Sequence, residues 1–146
     1  MPHLTARHSA DGPVLDIQLA IPRTRTIAMA AAGVPVTPAI EIRALVDTGA
    51  TITVISTRAF ARLGLEGTGT TQIIGAVTAN QPVQVQTCDV SLILVHKQSY
   101  MRKFDPLPVI IAPLGQSRID ALIGRDVLQS CLFLYDGQAG TCTLAF

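Results

Sequence analysis

The stretch ALVDTGAT, residues 44–51, runs three apolar side chains into an acid and follows it at once with Thr, Gly, Ala and Thr. An isolated carboxylate is costly to bury. Only 14% of this chain is charged, so an acid placed at the end of an apolar run calls for a reason. Upstream, Ile40-Glu41-Ile42-Arg43 alternates before Ala44-Leu45-Val46 turns wholly apolar, which predicts a strand entering the core near its end. Downstream, residues 51–55 are rich in β-branched side chains and predict a second short strand. Asp47-Thr48-Gly49-Ala50 then reads as a loop held between two buried strands. Gly49 lets the backbone approach the acid and donate its N–H, and the Thr48 hydroxyl can reach a neighbour. By itself Asp-Thr-Gly is also a turn-forming tripeptide, in which the acid merely satisfies local N–H groups.

Two further features follow in order. Residues 72–86 predict a β-hairpin, with Gly75 on one arm and Ala79-Asn80-Gln81 near the tip. Ala121-Leu122-Ile123-Gly124-Arg125-Asp126 then places apolar residues directly before a glycine. Most of the remaining chain also reads as strands: residues 14–19, 83–86, 90–95, 109–111, 132–135 and 141–146, the last two flanking the turn Asp136-Gly137-Gln138-Ala139-Gly140. Helical signals are few. Residues 56–63 predict a short helix capped by Ser56 and ended by Gly64. Residues 125–129 predict one or two turns. Pro22, Gly33, Pro35 and Pro38 make residues 20–38 read as a loop, Pro106 and Pro108 do the same for residues 97–108, and residues 1–12 read as flexible.

The chain's 146 residues, 49% of them hydrophobic, suit one domain spanning 1–146 with its own core. A net charge of +1 and the lack of a dense Lys/Arg run argue against nucleic acid as a partner. The most apolar stretch, residues 27–36, is interrupted by Gly33 and Pro35 and falls short of the roughly 20 residues a membrane span needs. Without a basic region followed by a long apolar core, no secretory signal is read. The cytoplasm is the expected compartment, with a periplasmic or secreted location left open. Cys88, Cys131 and Cys142 are odd in number and form no C-x-x-C, and His3, His8 and His96 are scattered. Buried free thiols are expected, and no metal site.

In this order, strand, Asp47-Thr48-Gly49-Ala50, hairpin, then Leu122-Ile123-Gly124-Arg125, the chain resembles the retropepsins, the single-domain aspartic proteases. The resemblance covers roughly residues 38–146. It implies an all-β, closed barrel-like fold with one or two short helices, assembled as a symmetric homodimer. It makes Asp47 the catalytic aspartate, Thr48 the threonine that bonds across the dimer axis, Gly49 the glycine beside the carboxylate, and Ala50 the small residue after it. Leu122, Ile123 and Gly124 match the segment packed under the active-site loop, and Arg125 and Asp126 open a helix near the dimer interface. The hairpin matches the flap that closes over substrate, with Gly75, Ala76, Val77, Thr78, Ala79 and Asn80 at its substrate side. Two departures stand out. Retroviral members follow the motif with two acids that bind substrate and pair with the arginine; here Thr51 and Ile52 stand there, so Arg125 needs another partner. The tip Thr78-Ala79-Asn80-Gln81 also lacks the family's glycines.

Peptide hydrolysis of this kind needs two carboxylates sharing one proton, yet Asp-Thr-Gly occurs once in the chain. The expected partner is Asp47 of a second copy, with water as nucleophile, a peptide or protein as substrate, and no cofactor. The resemblance further implies that the C-terminal strand, residues 141–146, interleaves with the partner's, as terminal strands do in family members; left exposed, an apolar terminal strand would invite aggregation. Two other readings stay open. One is a non-catalytic retropepsin-like domain that binds peptides or dimerises. The other is a phosphoryl-transfer loop, disfavoured because no G-x-x-x-x-G-K-[ST] is present and Thr48, not Lys, follows the acid.

Overall fold

β-branched and alternating segments fold into ten strands and three short helices among the residues described by the computed structural model, 1–74, 81–97, 99–115 and 118–146. In chain order these are β1 (His3–Arg7), β2 (Val14–Ala20), α1 (Arg23–Ala31), β3 (Ile40–Val46), β4 (Val54–Ser56), α2 (Thr57–Arg62) and β5 (Gly69–Ile73). They continue with β6 (Val83–His96), β7 (Tyr100–Ala112), β8 (Ala121–Ile123), α3 (Arg125–Leu128), β9 (Leu132–Asp136) and β10 (Thr141–Ala145). The large sheet runs β2-β3-β8-β4-β7-β6-β5, and β2 pairs again with β6 through Gln18↔Ile93 and Leu19↔Leu92. That second pairing closes six strands into a barrel and leaves β5 attached outside it. Leu19, Ile55, Leu92, Leu94 and Ile123 fill the interior with no exposed surface, each contributing about 1.5–3 kcal/mol of burial.

The parallel pairing of β3 with β8 (Leu45↔Leu122, Val46↔Ile123) matters most for the site. β8 is also antiparallel to β4 (Val54↔Leu122), so it threads between the two strands that flank the Asp47 loop. Asp120 pins the entry of β8. Its N–H and carboxylate both bond to the Arg43 backbone, its carbonyl accepts the Ser56 N–H, and Arg58 pairs with its carboxylate at 2.7 Å.

A second, three-stranded sheet has the order β1-β10-β9. Two expectations are corrected here. Residues 1–12 are not a loose end, because β1 pairs with β10 from His3↔Ala145 to Arg7↔Thr141. Nor does β10 offer an edge for exchange: it is the central strand, held by β1 and β9, with Cys142 and Leu144 in the core. Among the described residues the outer strands of this sheet are β1, whose His3 carbonyl is met by the His96 ring, and β9, on which Leu132, Leu134 and Tyr135 are 55–61% exposed.

Three local readings also change. Residues 20–38 hold α1, whose Ala28, Ala30 and Ala31 favour helix intrinsically. Its first N–H is received by the Asp105 carboxylate, 3.2 Å from each oxygen, from a strand remote in sequence. Because the helix buries no side chain, it has no apolar stripe to betray it. Residues 97–108 are largely strand. Pro106 sits opposite a register shift between Val90 and Leu92, where a missing N–H breaks no ladder bond. Thr51 and Ile52 lie in a bend, and β4 begins only at Val54. The α2 reading stands: the Ser56 hydroxyl accepts the Ala59 N–H at 3.1 Å, and Gly64 takes φ +67° just past the end.

All three cysteines are free, with Cys88 and Cys142 buried and Cys131 half-buried, and burial pushes each thiol up from its ordinary range. Among the described residues no helix is long and apolar enough to cross a membrane. Since β10 is the middle strand of its sheet, Leu144→Ala should remove fully buried methyls and cost about 2–5 kcal/mol of stability. Urea unfolding checks this, and a loss well below 1 kcal/mol would place the strand outside the core.

Candidate active site

Asp47 follows the last residue of β3 and is anchored before its side chain is considered. Its N–H donates to the Ile123 carbonyl at 3.0 Å, extending the β3–β8 ladder one step past the strand. The chain then turns: the Ala50 N–H donates to the Asp47 carbonyl at 3.2 Å, and the Gly49 N–H reaches the Asp47 carboxylate, Oδ1, at 2.9 Å. A Cβ on Gly49 would stand 3.1 Å from that same oxygen. Glycine therefore lets the amide close on the carboxylate without crowding it. Asp47 is half-buried, and Thr48 and Gly49 are exposed on the outside of the turn.

The loop is locked from below by residues 122–127. Leu122 and Ile123 lie in β8, directly beside Leu45 and Val46. A Cβ on Gly124 would come within 2.7 Å of the Ile52 carbonyl carbon and 2.9 Å of the Thr53 nitrogen, so backbone packs on backbone there and only glycine fits. Arg125 donates its N–H to the Ala50 carbonyl at 2.9 Å. Its guanidinium finds the partner the sequence left open: Thr51 Oγ1 at 2.9 Å, with the Thr48 carbonyl at 3.5 Å. The threonine standing in the first acid position thus serves the arginine itself.

Sequence reasoning missed Thr53 and undervalued Asp126. Thr53 is completely buried. Its hydroxyl donates to Asp126 Oδ1 at 2.7 Å and accepts the Gly124 N–H at 3.1 Å, while its N–H donates to Asp126 Oδ2 at 2.9 Å. Within the first turn of α3, Asp126 Oδ1 also accepts the Val127 N–H at 2.9 Å. The carboxylate thus ties the strand leaving the Asp47 loop to the helix that follows β8. Locally Thr53 looks like any β-branched strand residue and Asp126 like any helix-start acid, so no local signal separates these roles.

Of the residues expected at the site, Asp47, Thr48, Gly49, Ala50, Leu122, Ile123, Gly124 and Arg125 converge on this loop. The arms of the expected hairpin are β5 and the start of β6, paired up to Ile73↔Val83. The expected flap residues Gly75, Ala76, Val77, Thr78, Ala79 and Asn80 lie outside the described residues. Among the described residues no cluster of three or more His, Cys, Asp or Glu side chains is placed to hold a metal.

Residues 32–127 match the aspartyl protease family. A retropepsin-like aspartic protease from Rickettsia conorii has a similar crystal structure, with TM-score 0.58 and 18% identity over 99% of this chain and 90% of that one. The retroviral protease-like domain of Ddi1 from Leishmania major aligns at TM-score 0.44 and 17% identity, over 90% of this chain and 88% of that one. Among curated proteins, none matches this sequence. The mostly β, closed-barrel fold with few short helices is retropepsin-like, as the sequence led us to expect.

The lock under the loop is measurable. Thr53→Val keeps the shape but strands buried donors and acceptors, which should cost about 1–3 kcal/mol. Gly124→Ala must push apart two backbones and should cost at least as much, about 1–3 kcal/mol or more. Chemical denaturation reads both, and a neutral Gly124→Ala would contradict the contact.

Proposed function

We propose that this chain, which belongs to the aspartyl protease family, is an endopeptidase that works as a homodimer, each copy supplying one Asp47. What supports this reading is the fixed carboxylate: Gly49 holds one Asp47 oxygen at 2.9 Å, on a loop braced by Arg125, Gly124 and the Thr53–Asp126 bonds. A carboxylate so held is pre-organised rather than free to rotate.

In the dimer two Asp47 side chains meet. Like charges about 3 Å apart cannot both ionise readily, so the pair keeps one proton. The charged member takes a proton from a water, which attacks the peptide carbonyl carbon. The protonated member donates to the carbonyl oxygen. The resulting tetrahedral species collapses as the amide nitrogen is protonated and leaves. Thr48, exposed on the outer side of each loop, reaches the facing loop and holds the two in register. The β5–β6 hairpin closes over the substrate as a flap, so the substrate lies extended.

The joint between copies is assigned to β9. An edge strand with exposed apolar side chains is a ready template for another strand, and Leu132, Leu134 and Tyr135 are such side chains. Two β9 strands running antiparallel about a two-fold axis would form one continuous sheet from both copies.

Two experiments bear on this. A mixed peptide library incubated across acidic to neutral pH should be cleaved by the wild type and left intact by Asp47→Asn; cleavage by both, or by neither, rejects the reading. Leu134→Arg places like charges face to face at the joint. It should yield a folded monomer by sedimentation with cleavage lost, whereas an active dimer would move the joint away from β9.

A further inference from the structure

β6 turns Val90, Leu92 and Leu94 into the core, so Ser91 and Ile93 belong to its outer face. Both are buried all the same, and Ser91 is only 2% exposed. Among the described residues the Ser91 hydroxyl makes no hydrogen bond. It stands on the wall of a cavity of about 510 Å³ between the barrel and the start of α1. Ala20, Ile21, Ile93 and Pro106 form the apolar part of the lining, and Arg23, Lys103 and Asp105 the charged part. Lys103 pairs with Ile93 across the β6–β7 ladder, and opposite Ser91 two residues of β7, Asp105 and Pro106, bulge out of register. Asp105 is already engaged, because its carboxylate accepts the Arg23 N–H. Among the described residues neither the Arg23 nor the Lys103 side chain has an ion-pair partner.

The cavity is remote from Asp47. It lies at the Ala20 end of β2, whose neighbour Leu19 pairs with Ile40, whereas Asp47 follows the other end of β3, where Leu45 pairs with Val14. The length of β3, roughly 20 Å at about 3.4 Å per residue, separates the two.

We infer that this cavity is a second binding site, for a small carboxylate with an apolar body. The carboxylate lies between Lys103, Arg23 and the Ser91 hydroxyl, and the body rests on Ile21, Ile93 and Pro106. Charge selects the class. Two cations and one acid leave a single positive charge, which one carboxylate balances and a phosphate dianion exceeds. A cationic ligand would meet Arg23 and Lys103 as like charges. A carboxylate also gives the buried hydroxyl the acceptor that it lacks, in a charge-assisted bond. The volume falls within the range of small-molecule sites, about 300–1,000 Å³. A free carboxylic acid and the C-terminus of a peptide ending in an apolar residue share this chemistry. The site stands whether or not the chain is a peptidase.

Isothermal titration calorimetry on the full chain tests it, comparing octanoate and the peptide acetyl-Ala-Ala-Leu, each beside its uncharged amide. At least one acid should bind about tenfold or more tighter than its amide. Lys103→Glu should weaken that binding about tenfold or more, with Lys103→Gln intermediate and available should the charge reversal fail to fold. Ser91→Ala should also weaken it, yet leave the urea stability of the unliganded protein unchanged, since the hydroxyl has no bond to lose. Binding of octanoate alone assigns the site to free acids, and of the peptide alone to peptide C-termini; binding of both upholds the shared chemistry. Binding of neither acid at millimolar concentration, equal binding of acid and amide, or affinity that both Lys103 variants leave within about twofold overturns the inference. So does a Ser91→Ala protein that loses stability but not affinity, because the hydroxyl would then serve the fold alone.

Discussion

The site depends on one crossing, where β8 passes between β3 and β4 and its end meets the backbone of Ile52 and Thr53. Gly124 has no space for a single carbon there. That approach brings the Gly124 N–H to the Thr53 hydroxyl, and the hydroxyl to Asp126. On the other side of the crossing, the Asp47 N–H is held by the Ile123 carbonyl. The catalytic candidate and its supports are therefore fixed by one short strand that touches both flanks of the loop. Each of these bonds lies in a poorly solvated place, where a lost partner costs more than the bond itself is worth in water.

The two sheets divide the work. The barrel buries most of the core and presents the Asp47 loop. The β1-β10-β9 sheet packs Leu144 and Cys142 inward and leaves the β9 edge facing out. An edge like this is a hazard in a monomer and an asset in the proposed dimer. The same exposed leucines therefore take opposite meanings according to whether the active site is one chain's or two chains' property.

Much of this was legible in sequence because the deciding signals are local. The apolar run into Asp47, the glycine two residues on, and the Leu-Ile-Gly-Arg segment each announce themselves within a few positions, and their order fixed the fold. What stayed hidden depends on remote partners. α1 has no buried face, and the carboxylate that receives its first N–H comes from Asp105. β7 carries two prolines that read as loop, yet Pro108 keeps its register opposite Asp89 and Pro106 sits opposite a register shift that only the fold reveals. Thr53 and Asp126 are ordinary residue types whose importance lies only in meeting each other. Arg125 shows the intermediate case: the sequence revealed that its usual acid was missing, and only the fold revealed that Thr51 had taken over.

The placement of β10 also bears on how the chain folds. Residue 3 pairs with residue 145, so the small sheet closes a loop nearly as long as the chain. Closing it costs entropy that no earlier contact recovers, and pairings so distant in sequence form slowly. The barrel's hairpins, β6 with β7 above all, join neighbours and can assemble first. β9 and β10 join across a short turn and can pair early as well, but their hairpin takes its place on the molecule only when β10 meets β1. The surface assigned to assembly is therefore positioned last, and the capacity to form a complete site arrives only after the rest of the chain has committed to its fold.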